Sequence, residues 1–273
     1  MSFHEAWSIA FDKPLAVLLI VCAVLCAIGF YKYVYFLSIG YGLAVAGSGV
    51  ALIAMYLRDI SVGSLLQCLL FVLYGIRLAG FLIVREAKSS AYRKTLQEVT
   101  KGEATMPVFV KAAIWISVSL LYVAQVSPVF YRLNNEAANG VMPIIGAVIM
   151  AIALIIEAVA DRQKSRAKAM NPNRFCDTGL YQYVRCPNYF GEILFWTGVF
   201  LSGFGALTGA VQWAIAILGY IMIVYIMFNG AKRLERRQDR NYGDSDEYNA
   251  YVEKTPILLP LVPLYHLKDV KWM

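Results

Sequence analysis

VGSLLQCLLFVLYGIRLAGFLIV, residues 62–84, carries one charge, Arg77, in 23 residues. Coiled as a helix at about 1.5 Å per residue, it is long enough to cross a hydrocarbon core roughly 30 Å thick. Outward from it, comparable apolar stretches lie at about 14–31, 34–57, 108–131, 141–160, 190–206 and 210–231. The chain has 273 residues, 59% hydrophobic and 16% charged, a balance that belongs to a polytopic membrane protein rather than to soluble domains. The expected fold is all-α, a single membrane domain with seven transmembrane helices. The sixth stretch is the shortest. It reads as a hairpin partner of the seventh, turning at Ser202-Gly203-Phe204-Gly205.

Basic residues set the expected orientation. With the amino terminus outside, the outer connections hold Lys13, Arg58 and Arg132. The other side receives Lys32, six basic residues across 85–111, six across 162–185 and eight from 232 onward. That is 21 against 3, which places the carboxyl terminus in the cytosol. The net charge of +7 is mostly this asymmetry, so nucleic acid is an unnecessary partner. The amino end, MSFHEAWSIAFDK, carries both charge signs and no small-residue cleavage site follows, so the first span reads as a retained helix rather than a signal peptide. The expected location is a bacterial inner membrane, or the endoplasmic reticulum of a eukaryote.

Cys22, Cys26, Cys68, Cys176 and Cys186 include no CxxC pair, and His4 and His266 lie at opposite ends. No metal site is expected, and neither is a Ser-His-Asp or Cys-His arrangement.

Polar chemistry gathers after residue 157. Glu157, Asp161, Lys164 and Lys168 fall at helical spacing on an extension of the fifth span, which Asn171-Pro172 should end. Asp177-Thr178-Gly179 is a turn signal. A second block, KRLERRQDRNYGDSDEYNAYVEKTPILLP at 232–260, extends the last span and puts Glu235 and Asp239 on one face amid arginines. A basic helix resting on anionic lipid would explain that block alone. Two such blocks on one side, each with carboxylates, instead suit an anionic, hydrogen-bonding cofactor. Arginine forks match phosphate, Asn188 donates and accepts, and Tyr183 and Tyr189 offer ring faces. There is no GxGxxG and no P-loop, so a nucleotide would have to bind between helix ends.

The runs ADRQK at 160–164, NPNRFCDTGLYQYVRCPNYFGE at 171–192 and RLERRQDRNYGDSDEYNAYVEKTPILLP at 233–260 resemble the steroid 5-alpha reductase superfamily. More narrowly, they resemble its bacterial and plant branch of largely uncharacterised membrane proteins, with a pattern near DTGLWxYSRHPNYFGE. A weaker similarity continues through 59–86. The resemblance implies a seven-helix fold with residues 1–131 as substrate-side helices. Residues 141–260 would carry the NADPH-binding helices and cytosolic loops. A lipidic substrate would enter from the bilayer, and hydride would pass to an activated C=C bond. Cofactor binding would fall on Asp161, Lys168, Asn171, Arg174, Asp177, Tyr183, Arg185, Asn188, Tyr189, Glu192, Glu235 and Asp239. Cys186 stands where the branch usually has histidine.

Reduction of an enone also needs a group at the carbonyl oxygen, where charge develops. Tyr74 and Arg77 reproduce the tyrosine–arginine spacing of the steroid enzymes. Their intramembrane glutamate has no counterpart in span two, and Asp59 is the nearest carboxylate. Two other readings stay open at this point. One is a membrane methyltransferase of the isoprenylcysteine carboxyl type, using S-adenosylmethionine. The other is a lipid-binding protein without catalysis.

Overall fold

A computed structural model describes residues 13–101, 106–137 and 140–270. Most of the charged amino end that precedes the expected first span, residues 1–12, lies outside the described residues. Nine α-helices are described: α1 (Lys13–Cys26), α2 (Ile39–Tyr56), α3 (Val62–Lys88), α4 (Ser90–Val99), α5 (Val108–Asn134), α6 (Val141–Met170), α7 (Pro187–Ser202), α8 (Gly209–Tyr242) and α9 (Asp246–Lys254). No strand occurs among the described residues.

Among the described residues, six helical segments are long and apolar enough to cross a membrane: Lys13–Phe30, α2, α3, α5, α6 and α8. The protein is therefore an integral, multi-pass membrane protein. The sixth expected span, at 190–206, corresponds to α7, which is 16 residues long and about 24 Å by helical rise, below the length and hydropathy of the six. The turn after it does fall at Gly203, whose N–H donates to Phe200 O at 3.0 Å.

The chain divides into two compact units, residues up to 147 with 199–220, and residues 148–198 with 221–270 among those described. The first unit is ordered by close helix contacts. Cys22 Sγ meets Ser48 Oγ at 3.4 Å, and Cys26 Sγ donates to Gly40 O at 3.6 Å, so α1 and α2 run antiparallel. On α2, Gly42 faces Gly75 and Ala79 of α3, while Gly49 faces Cys68 and Phe71. Hence α3 is antiparallel to α2. A Cβ on Gly75 would overlap the Gly42 carbonyl, so small residues are what allow the two backbones to touch. Tyr122 of α5 packs on Tyr41 near the start of α2, ring centroids 4.8 Å apart. At the other end Tyr56 Oη donates to Asn134 Oδ1 at 2.7 Å. So α5 runs parallel to α2 and antiparallel to α3.

Arg132, assigned from sequence to an outer connection, is buried in α5. Its guanidinium donates to Ser202 O and Phe204 O, both at 2.8 Å, which caps the carbonyl end of α7.

The second unit contains the polar blocks. As Asn171-Pro172 requires, α6 stops at Met170. The second block is not one continuous helix. Gly243 N–H closes on Asp239 O at 2.8 Å and ends α8, and α9 begins afresh with Ser245 as its cap.

Candidate functional site

Within the second unit, the loop from α6 to α7 is built on Phe175. Its ring stacks on Tyr251 of α9 (5.3 Å) and meets Tyr248 edge-on at 5.3 Å. Gly179 has φ +64°, and a Cβ there would strike Gln163, which accepts Leu180 N–H at 2.9 Å. Only glycine fits that turn without strain.

Two clusters of the expected residues result. Two residues of the outer group, Asn171 and Arg174, line an open depression of about 430 Å³. Asn171 lies there, exposed, accepting Asn173 N–H at 3.3 Å. Arg174 lies there too, engaging Asp177 at 2.9 Å and also Glu247. Those carboxylates, Glu247 foremost, hold the Arg174 guanidinium above its ordinary range. Lys168 donates to Arg174 O and to Tyr242 Oη, each at 2.6 Å, fastening the loop to α8. Asp161 is half-buried on α6, and Tyr183 is 68% exposed with its ring face open.

The inner cluster is buried. Arg185 and Glu235 form an ion pair at 3.0 Å with both side chains shielded from solvent. Glu235 is fully occupied by protein: it accepts from Arg185, from His266 Nδ1 at 3.1 Å, and from the backbone N–H groups of Leu267 and Lys268 at 2.8 Å. Asp239 accepts from Tyr248 Oη at 2.8 Å and from Lys268 Nζ at 2.9 Å. Both acids of the second block therefore hold the carboxyl-terminal segment down. Arg185 also donates to Tyr265 O. Its Nε and Nη1 have no hydrogen-bond partner among the described residues, and neither has Asn188 Oδ1. Glu192, buried, accepts from Trp196 Nε1 at 2.9 Å. The half-buried Tyr189 lays its ring against Gly230, where a Cβ would sit 3.2 Å from it.

The TPILLP run pairs with this loop through the backbone: Arg185 N–H donates to Pro256 O at 2.9 Å and Cys186 N–H to Ile257 O at 3.0 Å. Cys186 itself sits in an apolar cluster with Ile193, Ala231, Leu234, Ile257, Leu258 and Leu267. Burial pushes its thiol up to about 11. At this position the side chain acts as a small hydrophobe.

In the first unit, Tyr74 is fully buried on α3, its ring 5.9 Å from Tyr41 and edge-on to it. Arg77 is half-buried one turn further along. Asp59 is exposed in the turn between α2 and α3. From Val62 to Tyr74 the helix rises about 18 Å, so Asp59 is not brought to the tyrosine. Sequence reasoning also missed Tyr248, His266 and Lys268, which clasp the two acids. The polar side chains of His266 and Lys268 inside the otherwise apolar tail LLPLVPLYHLKD were the available signal for two of them; Tyr248 lies earlier, in α9, and carried none.

A family model, described as a protein of unknown function (DUF1295), matches residues 28–255. The chain belongs to the DUF1295 family. No curated protein and no solved structure matches it. The DUF1295 match reaches from the end of the first apolar helix through α9, so it includes Tyr74, Arg174, Arg185, Asn188, Glu235 and Asp239 but not the segment at 265–268 that clasps the two acids.

Proposed function

We propose that the protein is an NADPH-dependent reductase that delivers hydride to an activated C=C bond of a lipidic enone. In this reading it crosses the membrane seven times, α7 included, with the second unit's polar loops in the cytosol. One observation carries the cofactor assignment. The buried Arg185 keeps two donor nitrogens, and Asn188, three residues on, keeps an acceptor, without hydrogen-bond partners among the described residues. Unmet buried donors and acceptors cost about 1–3 kcal/mol each. Phosphate oxygens or a carboxamide carbonyl accept from the arginine and a carboxamide N–H donates to Asn188 Oδ1, and NADPH has both groups. Arg174 and Asn171 at the outer depression, with Lys168 behind them on Arg174 O, would take the phosphates, Arg174 by exchanging the exposed Glu247 for them, and Tyr183 and Tyr189 would offer ring faces. Glu235 and Asp239 act in this reading as positioning residues, since protein donors already fill them.

Bound NADPH supplies the hydride. Tyr74 donates a hydrogen bond to the substrate carbonyl, and its proton goes to that oxygen as negative charge develops. Arg77 stabilises the same charge directly or through water. Asp59 has no part in this scheme. The test is NADPH oxidation by the purified protein in detergent against a panel of long-chain and cyclic enones, with mass spectrometry of the products. Gain of two hydrogens supports the reading. Transfer of a methyl group from S-adenosylmethionine, with no NADPH consumed, would replace it with the methyltransferase reading.

A further inference from the structure

We infer that Gln67 and Gln125 form the far, hydrogen-bonding end of a lipid site inside the first unit, where they read a second oxygen function on an elongated apolar ligand. Both side chains are buried, 0% and 2% exposed. The amide nitrogen and oxygen of each lack a hydrogen-bond partner among the described residues. A buried amide that meets nothing loses its hydration without return, and leucine or methionine would fill the same space at no such cost. Two such amides in apolar helices are therefore aimed at a group that donates and accepts.

Their placement gives the dimensions. On α3, Gln67, Phe71 and Tyr74 follow spacings of four and three and share a stripe. On α5, Gln125 lies one turn beyond Tyr122. The ring of Tyr41 joins the two helices, 5.9 Å from Tyr74 and 4.8 Å from Tyr122. Because α3 and α5 are antiparallel, the step from Tyr74 back to Gln67 and the step from Tyr122 on to Gln125 go the same way. By helical rise, Gln125 lies about 4–5 Å and Gln67 about 10 Å beyond the tyrosine layer. A ligand with one oxygen at Tyr74 carries its apolar body past Gln125 and meets Gln67 with a second oxygen. An amide offers both donor and acceptor, so a hydroxyl is served best. The inference rests on the Tyr74 reading for the first oxygen and adds the substrate class, a lipid oxygenated at two depths.

The test is equilibrium binding, by native mass spectrometry of the whole chain without NADPH. Two probes are titrated: a long-chain enone, and the same enone with a hydroxyl in mid-chain. The wild type should prefer the hydroxylated probe about tenfold, the worth of one hydrogen bond. Gln67→Leu should abolish that preference, read as the ratio of the two affinities within the variant, with Gln67→Met as the second variant should leucine prevent folding. Three results would overturn the inference: neither probe binds, the wild type has no preference, or the preference survives in a folded variant, as expected if the amides only hold internal water. Reduction is not read here. A protein that discriminates the probes but ignores NADPH would refute the reductase reading and leave this one standing.

Discussion

Cys186 shows how much one position can decide. The resembled pattern has histidine there, and an imidazole would need polar partners, whereas the thiol packs among aliphatic side chains. Its acidity gives a pH prediction. The folded thiol titrates near 11 against 9.0 for an ordinary one, so between those values the unfolded chain has already lost the proton that the folded chain keeps. Stability should therefore fall as pH rises from about 9 to 11, by on the order of 2–3 kcal/mol. Thermal unfolding of Cys186→Ala should lack that part of the alkaline loss; an identical pH profile would remove the thiol from the account. Tyr74 makes the sharper functional prediction. Tyr74→Phe should keep NADPH affinity and reduce turnover of a true substrate by roughly 10²–10⁴, the range for losing an acid–base group. Wild-type turnover in that variant would leave the tyrosine a packing residue.

At the scale of elements, periodicity and proline made most of the helices legible, because a hydrophobic run and a chain-breaking Asn171-Pro172 act locally. What was not legible depended on partners distant in sequence. Arg132 reads as a charge in an outer connection, yet it reaches Ser202 and Phe204, about seventy residues away. The break at Gly243 was written in the sequence as Gly-Asp-Ser-Asp-Glu, a helix stop followed by a cap, and a run of charges hid it. Likewise Glu235 and Asp239 share a face as their spacing demands, but most of their donors come from Arg185 and from residues 266–268, which no local rule supplies. The Arg132 cap is testable. Arg132→Met should lower stability by about 1.5–3 kcal/mol through the two orphaned carbonyls, and Arg132→Lys should restore part of it. Equal stability of Met and wild type in a denaturation series would show that solvent or lipid satisfies those carbonyls instead.

At the scale of the whole molecule, the bilayer imposes both the apolar lengths and the distribution of charge. The orientation proposed from 21 basic residues against 3 is open to labelling, since all five cysteines are buried and give little background. In intact cells a membrane-impermeant maleimide should modify Asp59→Cys and spare Ser165→Cys until the membrane is opened; the reverse pattern would invert the topology. The central claim, that the second unit's buried polar groups hold NADPH, is tested most directly by calorimetric titration of the purified protein with NADPH, alongside Asn188→Ala. Arg185 is the poorer probe, because removing it strands Glu235 as a buried charge at a cost of about 3–5 kcal/mol to the fold. The account predicts saturable NADPH binding, weakened roughly threefold to tenfold in a folded Asn188→Ala protein by the loss of one hydrogen bond. No heat of binding with NADPH, or an affinity that Asn188→Ala leaves untouched, would contradict it.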